Sequence, residues 1–148
     1  MAWEVEYSDE FGAWWETLTE GEQIDVDAYI QELERRGPML PFPYSSDVKG
    51  SKHGTMRELR VQSGGKALRI FYAFDPRRTA ILLIGGRKAG NKRFYERFVP
   101  LADRLYDQHL AELKKEREEE SIHGRQASIR GTSSQDVTEG TRPRRDKS

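Results

Sequence analysis

The chain predicts an α+β fold in which an antiparallel sheet carries an N-terminal helical hairpin and a C-terminal helix. Between Thr55 and Ile84, three runs rich in β-branched, aromatic and aliphatic residues are separated by the turn clusters Ser63-Gly64-Gly65 and Asp75-Pro76-Arg77-Arg78. Two consecutive hairpins, hence a three-stranded meander, are the reading of that pattern. Before the meander, Phe11, Trp14, Trp15 and Leu18 recur at helical spacing, and after it Phe94, Phe98, Leu101, Leu105 and Leu113 do the same.

Taken in order, Trp3-Glu-Val-Glu-Tyr7 alternates apolar and acidic residues and predicts a short strand with one buried face. Ser8 or Asp9 caps the first helix. Thr19-Glu-Gly-Glu22 is a capping box, in which the threonine oxygen and the glutamate carboxylate each satisfy an orphan amide. The second helix then runs through Val26, Tyr29, Ile30 and Leu33 and stops at Gly37-Pro38. Its aromatic residues and those of the first helix are assigned to core packing. From Gly37 to Gly54 the chain is rich in proline and glycine and reads as a long connector.

The run Ala80–Ile84 is continuously apolar, as expected of a strand covered on both faces. It empties into Gly86-Arg87-Lys88-Ala89-Gly90, after which Asn91 caps the last helix. Pro100 should kink that helix or begin a new segment. Beyond Leu113 the apolar stripe gives way to Lys-Lys-Glu-Arg-Glu-Glu-Glu. One domain over residues 1–118 followed by a disordered charged tail over 119–148 is the expected organisation.

Composition narrows the function. Apolar residues are 35%, charged residues 34% and mean hydropathy is −0.87, so part of the 148-residue chain should lie outside any core. The absence of cysteine excludes disulfides, thiolate catalysis and sulfur-ligated zinc. No targeting segment or apolar run of membrane-spanning length is evident, so a soluble, cytoplasmic protein with no membrane partner is expected. Formal charge is zero but unevenly spread: residues 1–48 carry −10 and residues 49–110 carry +9. Either the halves neutralise each other in the fold or the basic half forms a local nucleic-acid site; the second is preferred.

Several basic residues could serve such a site. Arg69 is the only charged side chain inside the strand Lys66–Phe74, so it must pair with a carboxylate, reach solvent or line a cleft. Arg57 and Arg60 lie on opposite faces of the preceding strand, and Glu58, on the face of Arg60, offers a structural ion pair instead. The glycine-bracketed Arg87 and Lys88, with Lys92, Arg93, Tyr95 and Arg97 beyond them, form an anion-binding pattern at a helix start. Lys49 and Lys52 lead into the meander, and His53 has no nearby acidic residue to make it a general base.

The strings Arg57-Glu-Leu-Arg60-Val, Arg69-Ile-Phe-Tyr-Ala-Phe-Asp-Pro-Arg-Arg78, Leu82-Leu-Ile-Gly-Gly86 and Arg93-Phe-Tyr95-Glu-Arg resemble the RelE/ParE superfamily of toxin–antitoxin toxins, in its phage-derived HigB-type branch. The resemblance covers roughly Trp3 to Leu113. It implies a small microbial-RNase-like fold and ribosome-dependent mRNA cleavage; since no carboxylate cluster suggests a divalent metal, cleavage without metal or cofactor is expected. It also implies neutralisation by a helix-turn-helix antitoxin, with the ribosome and mRNA as further partners. By the same resemblance Arg69 faces the scissile phosphate, Arg87 or Lys88 supplies the basic loop, and Tyr95 is the aromatic residue near the start of the final helix. Lys49, Lys52, Arg57, Arg60, Lys92 and Arg93 are expected to bind RNA, and Glu96 is the acidic residue nearest the aromatic one. A tyrosine or lysine with its pKa lowered by neighbouring cations could act as base or acid. The alternatives are a ParE-like toxin that binds DNA gyrase without chemistry, or a nucleic-acid-binding member that has lost activity. An antitoxin is expected to grip the acidic, aromatic-rich N-terminal helices.

Overall fold

The computed structural model describes residues 2–88, 90 and 93–130, without the side chains of the last eight. Its order is β1 (Val5–Tyr7), α1 (Asp9–Glu16), α2 (Glu20–Arg36), a 3-10 turn (Gly37–Met39), β2 (Ser45–Asp47), β3 (Arg57–Ser63), β4 (Lys66–Phe74), β5 (Ala80–Arg87) and α3 (Phe94–Arg130). Asn91 and Lys92, expected to open the last helix, lie outside the described residues.

The local signals act as the sequence indicates. Ser8 caps α1 by accepting from the Phe11 amide at 3.0 Å, and the same hydroxyl donates to the Leu83 carbonyl at 2.6 Å, so the cap also docks α1 on β5. Both halves of the Thr19/Glu22 capping box are present, with bonds of 2.8 and 3.1 Å. Gly64 and Gly65 both have positive φ (56° and 81°), the geometry of the primed two-residue turn that suits the twist of β3 and β4. At the other hairpin, the Arg77 and Thr79 amides donate to the Asp75 carboxylate at 2.8 and 3.2 Å.

The sheet is mixed rather than wholly antiparallel. Its order is β1-β5-β4-β3-β2, and β1 runs parallel to β5 while the other pairs are antiparallel. The Ala80 amide donates to the Glu4 carbonyl and the Ser8 amide to the Leu82 carbonyl, both at 3.0 Å, seating the N-terminal strand on the free edge of β5. At the opposite edge, part of the long connector forms β2.

Two cores flank the sheet. Phe11, Trp15, Val26, Ile30 and Leu33 of α1 and α2 pack on Leu59, Val61, Leu68, Ile70, Tyr72 and Leu82. On the other side Phe94, Val99, Ala102, Leu105 and Tyr106 of α3 pack on Met56, Phe71, Ala73, Ile81 and Leu83. β5 contributes to both, as its apolar run predicts. A bulge interrupts its alternation: Phe71 pairs with Ile84 but Tyr72 with Leu82, leaving Leu83 unopposed. Leu83 and Ile84 therefore both belong to the α3 side, and every later residue of β5 changes face.

The helix α3 continues through Pro100, where a kink or a new segment was expected, and its last buried residue among those described is Leu113. A proline forfeits one backbone bond and crowds the preceding turn, while Phe98, Val99, Leu101 and Ala102 around it stay anchored on the sheet. The tail expected from residue 119 thus begins within a helix that runs to Arg130, and residues 131–148 lie outside the described residues.

Candidate active site

The N-terminal end of α3 crosses β3, β4 and β5 where three glutamate and arginine side chains share its face. Register places Glu58 opposite Phe71, Arg60 opposite Arg69, and Arg69 opposite Gly86. Gly86 is required there: a Cβ would lie 2.7 Å from Phe98 and 3.0 Å from Phe94. The bare backbone lets the first turn of α3 settle on the sheet and brings Tyr95 over β3 and β4.

Glu58 is the centre of the cluster. Its Oε1 accepts from the Tyr95 hydroxyl at 2.8 Å, and its Oε2 accepts from the Ser46 hydroxyl at 2.9 Å. Arg60 Nη1 lies 3.5 Å from Oε2 and Arg69 Nε 3.8 Å from Oε1. The side chains of Arg69 and Glu58 are only 7% and 5% exposed. Arg69 Nη1 donates to the Leu68 carbonyl at 3.2 Å, whereas its buried Nε has no hydrogen-bond partner among the described residues. The contact with Glu58 is thus ionic and too long for a hydrogen bond. Arg69 is an interior cation held beside a carboxylate, the first of the three outcomes that its place in an apolar strand allows.

Tyr95 also departs from expectation. Burial, and then the hydrogen bond and charge of Glu58, raise its pKa above the ordinary tyrosine value, outweighing Arg69. Its hydroxyl donates to Glu58 and so is placed as a proton donor, the reverse of the lowered-pKa base expected beside cations. Lys88 Nζ lies 5.9 Å from the centroid of its ring, and Phe71 packs edge-on to it at 6.1 Å.

The remaining candidates divide by position. The bulge puts Lys88 on the face of Gly86, whereas Arg87 is opposite Leu68, a residue of the α1/α2 core, and is exposed. Arg57 also lies on the α1/α2 face; its Nε donates to Ser45 at 3.0 Å and its guanidinium pairs with Asp47. Lys52 is paired with Asp107 of α3 at 2.6 Å, which raises its pKa. His53 joins the same carboxylate at 2.7 Å, a partner that its sequence neighbourhood does not contain. Asp107 is 12 residues beyond Tyr95 on one helix, about 18 Å at ~1.5 Å per residue, so this cluster is separate from the site. Lys49, Arg93 and Glu96 are exposed, and Lys92 lies outside the described residues.

The missed residue is Glu58. An acidic side chain flanked by Leu59 in a strand was its only sequence signal, and that reads equally well as a partner for Arg60. About a third of the expected +9 field is internally neutralised: Lys66 pairs with Glu22, Arg77 with Glu6 and Arg57 with Asp47, each joining the basic stretch to the acidic one. Among the described residues no group of three His, Asp or Glu gathers as metal ligands, and no helix is long and apolar enough to cross a membrane.

A mixed sheet between a helical hairpin and a long C-terminal helix, with a buried carboxylate–guanidinium–phenol cluster, defines a small α+β protein with a polar site under one helix start. The family model described as phage derived protein Gp49-like matches residues 13–107, and the chain belongs to that family, in its HigB-type branch. It is 42% identical over 99 residues to "Putative toxin HigB3" of Mycobacterium tuberculosis, covering 66% of this chain and 85% of that protein. It is 39% identical over 108 residues to "Putative toxin HigB2" of the same organism, covering 72% of this chain. The chain spans about half the length, 54%, of that second relative.

Proposed function

We propose that this protein is the toxin of a type II toxin–antitoxin pair and that it cuts mRNA on the ribosome by metal-independent transesterification. The observation that carries the chemistry is the shared Glu58 Oε1, which holds the Tyr95 hydroxyl at 2.8 Å with Arg69 Nε 3.8 Å away and without a hydrogen-bond partner. Names of relatives support the toxin reading; the geometry supports the reaction.

In this reading an RNA 2′-hydroxyl takes the place of the Tyr95 hydroxyl at Glu58 and gives up its proton there. The 2′-oxygen bonds to phosphorus, the bond from phosphorus to the 5′-oxygen breaks, and the released tyrosine donates its proton to that leaving oxygen. The developing phosphorane charge is met by Arg69, Arg60 and Lys88, and the unpartnered Nε of Arg69 supplies a donor without first breaking a bond. The products are a 2′,3′-cyclic phosphate and a 5′-hydroxyl. The ribosome's part is to present the message in an aligned conformation, replacing an orientation cost the small domain cannot meet alone. A helix-turn-helix antitoxin restrains the toxin in its host.

Mapping message ends after expression in bacteria tests the reading. Cuts within translated frames that carry cyclic phosphate, and that vanish in Tyr95→Phe and Glu58→Gln, are expected. Growth arrest without any cut would return the protein to the gyrase-binding alternative.

A further inference from the structure

Phe42 stands in the loop between the 3-10 turn and β2 and is 67% exposed. The loop that carries it is well held. The Tyr44 and Ser45 amides donate to the Pro41 carbonyl at 3.0 and 3.1 Å, and the Arg60 amide donates to the Tyr44 carbonyl at 2.9 Å. Prolines 41 and 43 flank the ring and limit the backbone freedom it could lose on binding.

A single exposed aromatic needs no explanation, but the surroundings of this one do. The Arg60 guanidinium lies over the ring, 4.9 Å from its centroid, and the same guanidinium reaches Glu58 Oε2 at 3.5 Å. Two contacts therefore connect an outward-facing aromatic to the carboxylate that receives Tyr95. Arg60 keeps 29% of its side chain exposed, so ring and cation are presented together. Aromatic rings and guanidinium planes are the surfaces on which single-stranded bases stack, and the cation also suits the neighbouring phosphate. A purely apolar partner would leave that charge unanswered, whereas the phosphate beside a stacked base answers it.

We propose that Phe42 and Arg60 form a stacking platform for the nucleobase next to the scissile phosphate, making Phe42 a substrate-positioning and base-preference residue. The inference rests on the reading of the protein as an RNA-cleaving enzyme. It differs from that reading in placing a substrate contact on the connector, outside the polar cluster.

The test compares the full-length protein with Phe42→Leu, Phe42→Trp and Ile24→Ala on ribosomes programmed with a defined message. Ile24 is 64% exposed on α2 and controls for loss of any outward apolar group. Phe42→Leu should lower cleavage by about tenfold or more, as loss of one stacked base implies, and flatten the base preference beside the cut. Its thermal midpoint should match that of wild type. Phe42→Trp should restore cleavage, and Ile24→Ala should leave it intact. Unchanged cleavage and base preference in Phe42→Leu would overturn the platform while leaving the enzyme reading in place. The platform is also overturned if that variant cuts normally but no longer binds the antitoxin, which would make Phe42 a protein-docking residue. A wild-type protein that cuts nothing overturns both readings.

Discussion

The two faces of the sheet are built from the same strands and do different work. Under α1 and α2, Leu59, Val61, Leu68, Ile70 and Tyr72 form an apolar layer whose polar atoms are few and mostly paired. Under α3, alternate residues of those strands include Phe71, Ala73 and Leu83 in the apolar layer, but Glu58, Arg60 and Arg69 in the polar cluster beside Tyr95 at the helix start. One face is a continuous core; the other changes from core to polar site within one strand length. Stability should therefore depend most on the first face and function on the second, though neighbouring residues of β4 serve each in turn.

The largest expected effect comes from splitting that pair of neighbours. Ile70→Ala opens a cavity in the first face and should cost ~2–5 kcal/mol, read as a fall in the chemical-denaturation midpoint. Arg69→Met, one residue away, replaces an interior cation by a flexible apolar chain of similar length. Glu58 keeps Ser46, Arg60 and Tyr95 and is not left without a cation, so stability should change by no more than ~1–2 kcal/mol while message cleavage is lost. Equal destabilisation by both would mean that the polar cluster is a structural element first.

The two glycines of β5 make the next comparison. A Cβ on Gly85 would lie 2.4 Å from the Trp14 ring, and one on Gly86 would lie 2.7 Å from Phe98. Both alanine variants should lose ~1–3 kcal/mol from overpacking. Only Gly86→Ala should also impair cleavage at temperatures where both remain folded, because it lifts the helix start that carries Tyr95. Matched activity in the two would break the assignment of function to the α3 face.

The alkaline response should be smaller. Burial raises the pKa of Tyr72 on the first face, and burial together with Glu58 raises that of Tyr95 on the second, both from a reference of 10.0. A phenol whose folded pKa exceeds its unfolded one contributes stability below the unfolded value, and that contribution is lost as pH climbs through the folded value. Melting temperatures from about pH 9 upward should decline more gently for Tyr95→Phe than for wild type. On the acid side, burial pushes the Asp75 carboxyl up, but bonds from Arg77, His109 and the Thr79 amide outweigh it and hold it low. Its contribution is present above an unfolded value near 3.8 and should fade as pH falls through the folded one. An Asp75→Asn variant should show a weaker loss between about pH 4 and pH 2.

The smallest effect is expected from truncation. Among the described residues Leu113 is the last buried one of α3 and Ile122 is 53% exposed, so removing residues 121–148 should leave the melting temperature nearly unchanged. A large drop would mean that the distal helix or the segment beyond it packs on one of the two faces.

The N-terminal helices, where an antitoxin is expected to grip, present exposed acidic groups such as Glu16 and Glu20 more than apolar ones. Their Phe11, Trp15, Val26, Ile30 and Leu33 are committed to the core, and the large exposed apolar groups described outside α3 are Ile24 on α2 and Met39, Phe42 and Tyr44 in the connector. Helical spacing identifies an apolar stripe but does not say how much of it a sheet will cover.

The sequence by itself determined the elements governed by near neighbours: the capping box at Thr19, the two-glycine turn, the buried run of β5 and the apolar stripe of α3. It also determined that Arg69 needs an uncommon environment, because a cation in an apolar strand must be resolved somehow. Tertiary structure alone decided how. Glu58 meets Tyr95 across 37 residues of chain and His53 meets Asp107 across 54, and no local pattern encodes such pairings. Which of Arg87 and Lys88 shares the face of Gly86 likewise depends on one unopposed residue, Leu83, since side-chain direction along a strand has a period of two and a bulge inverts everything after it.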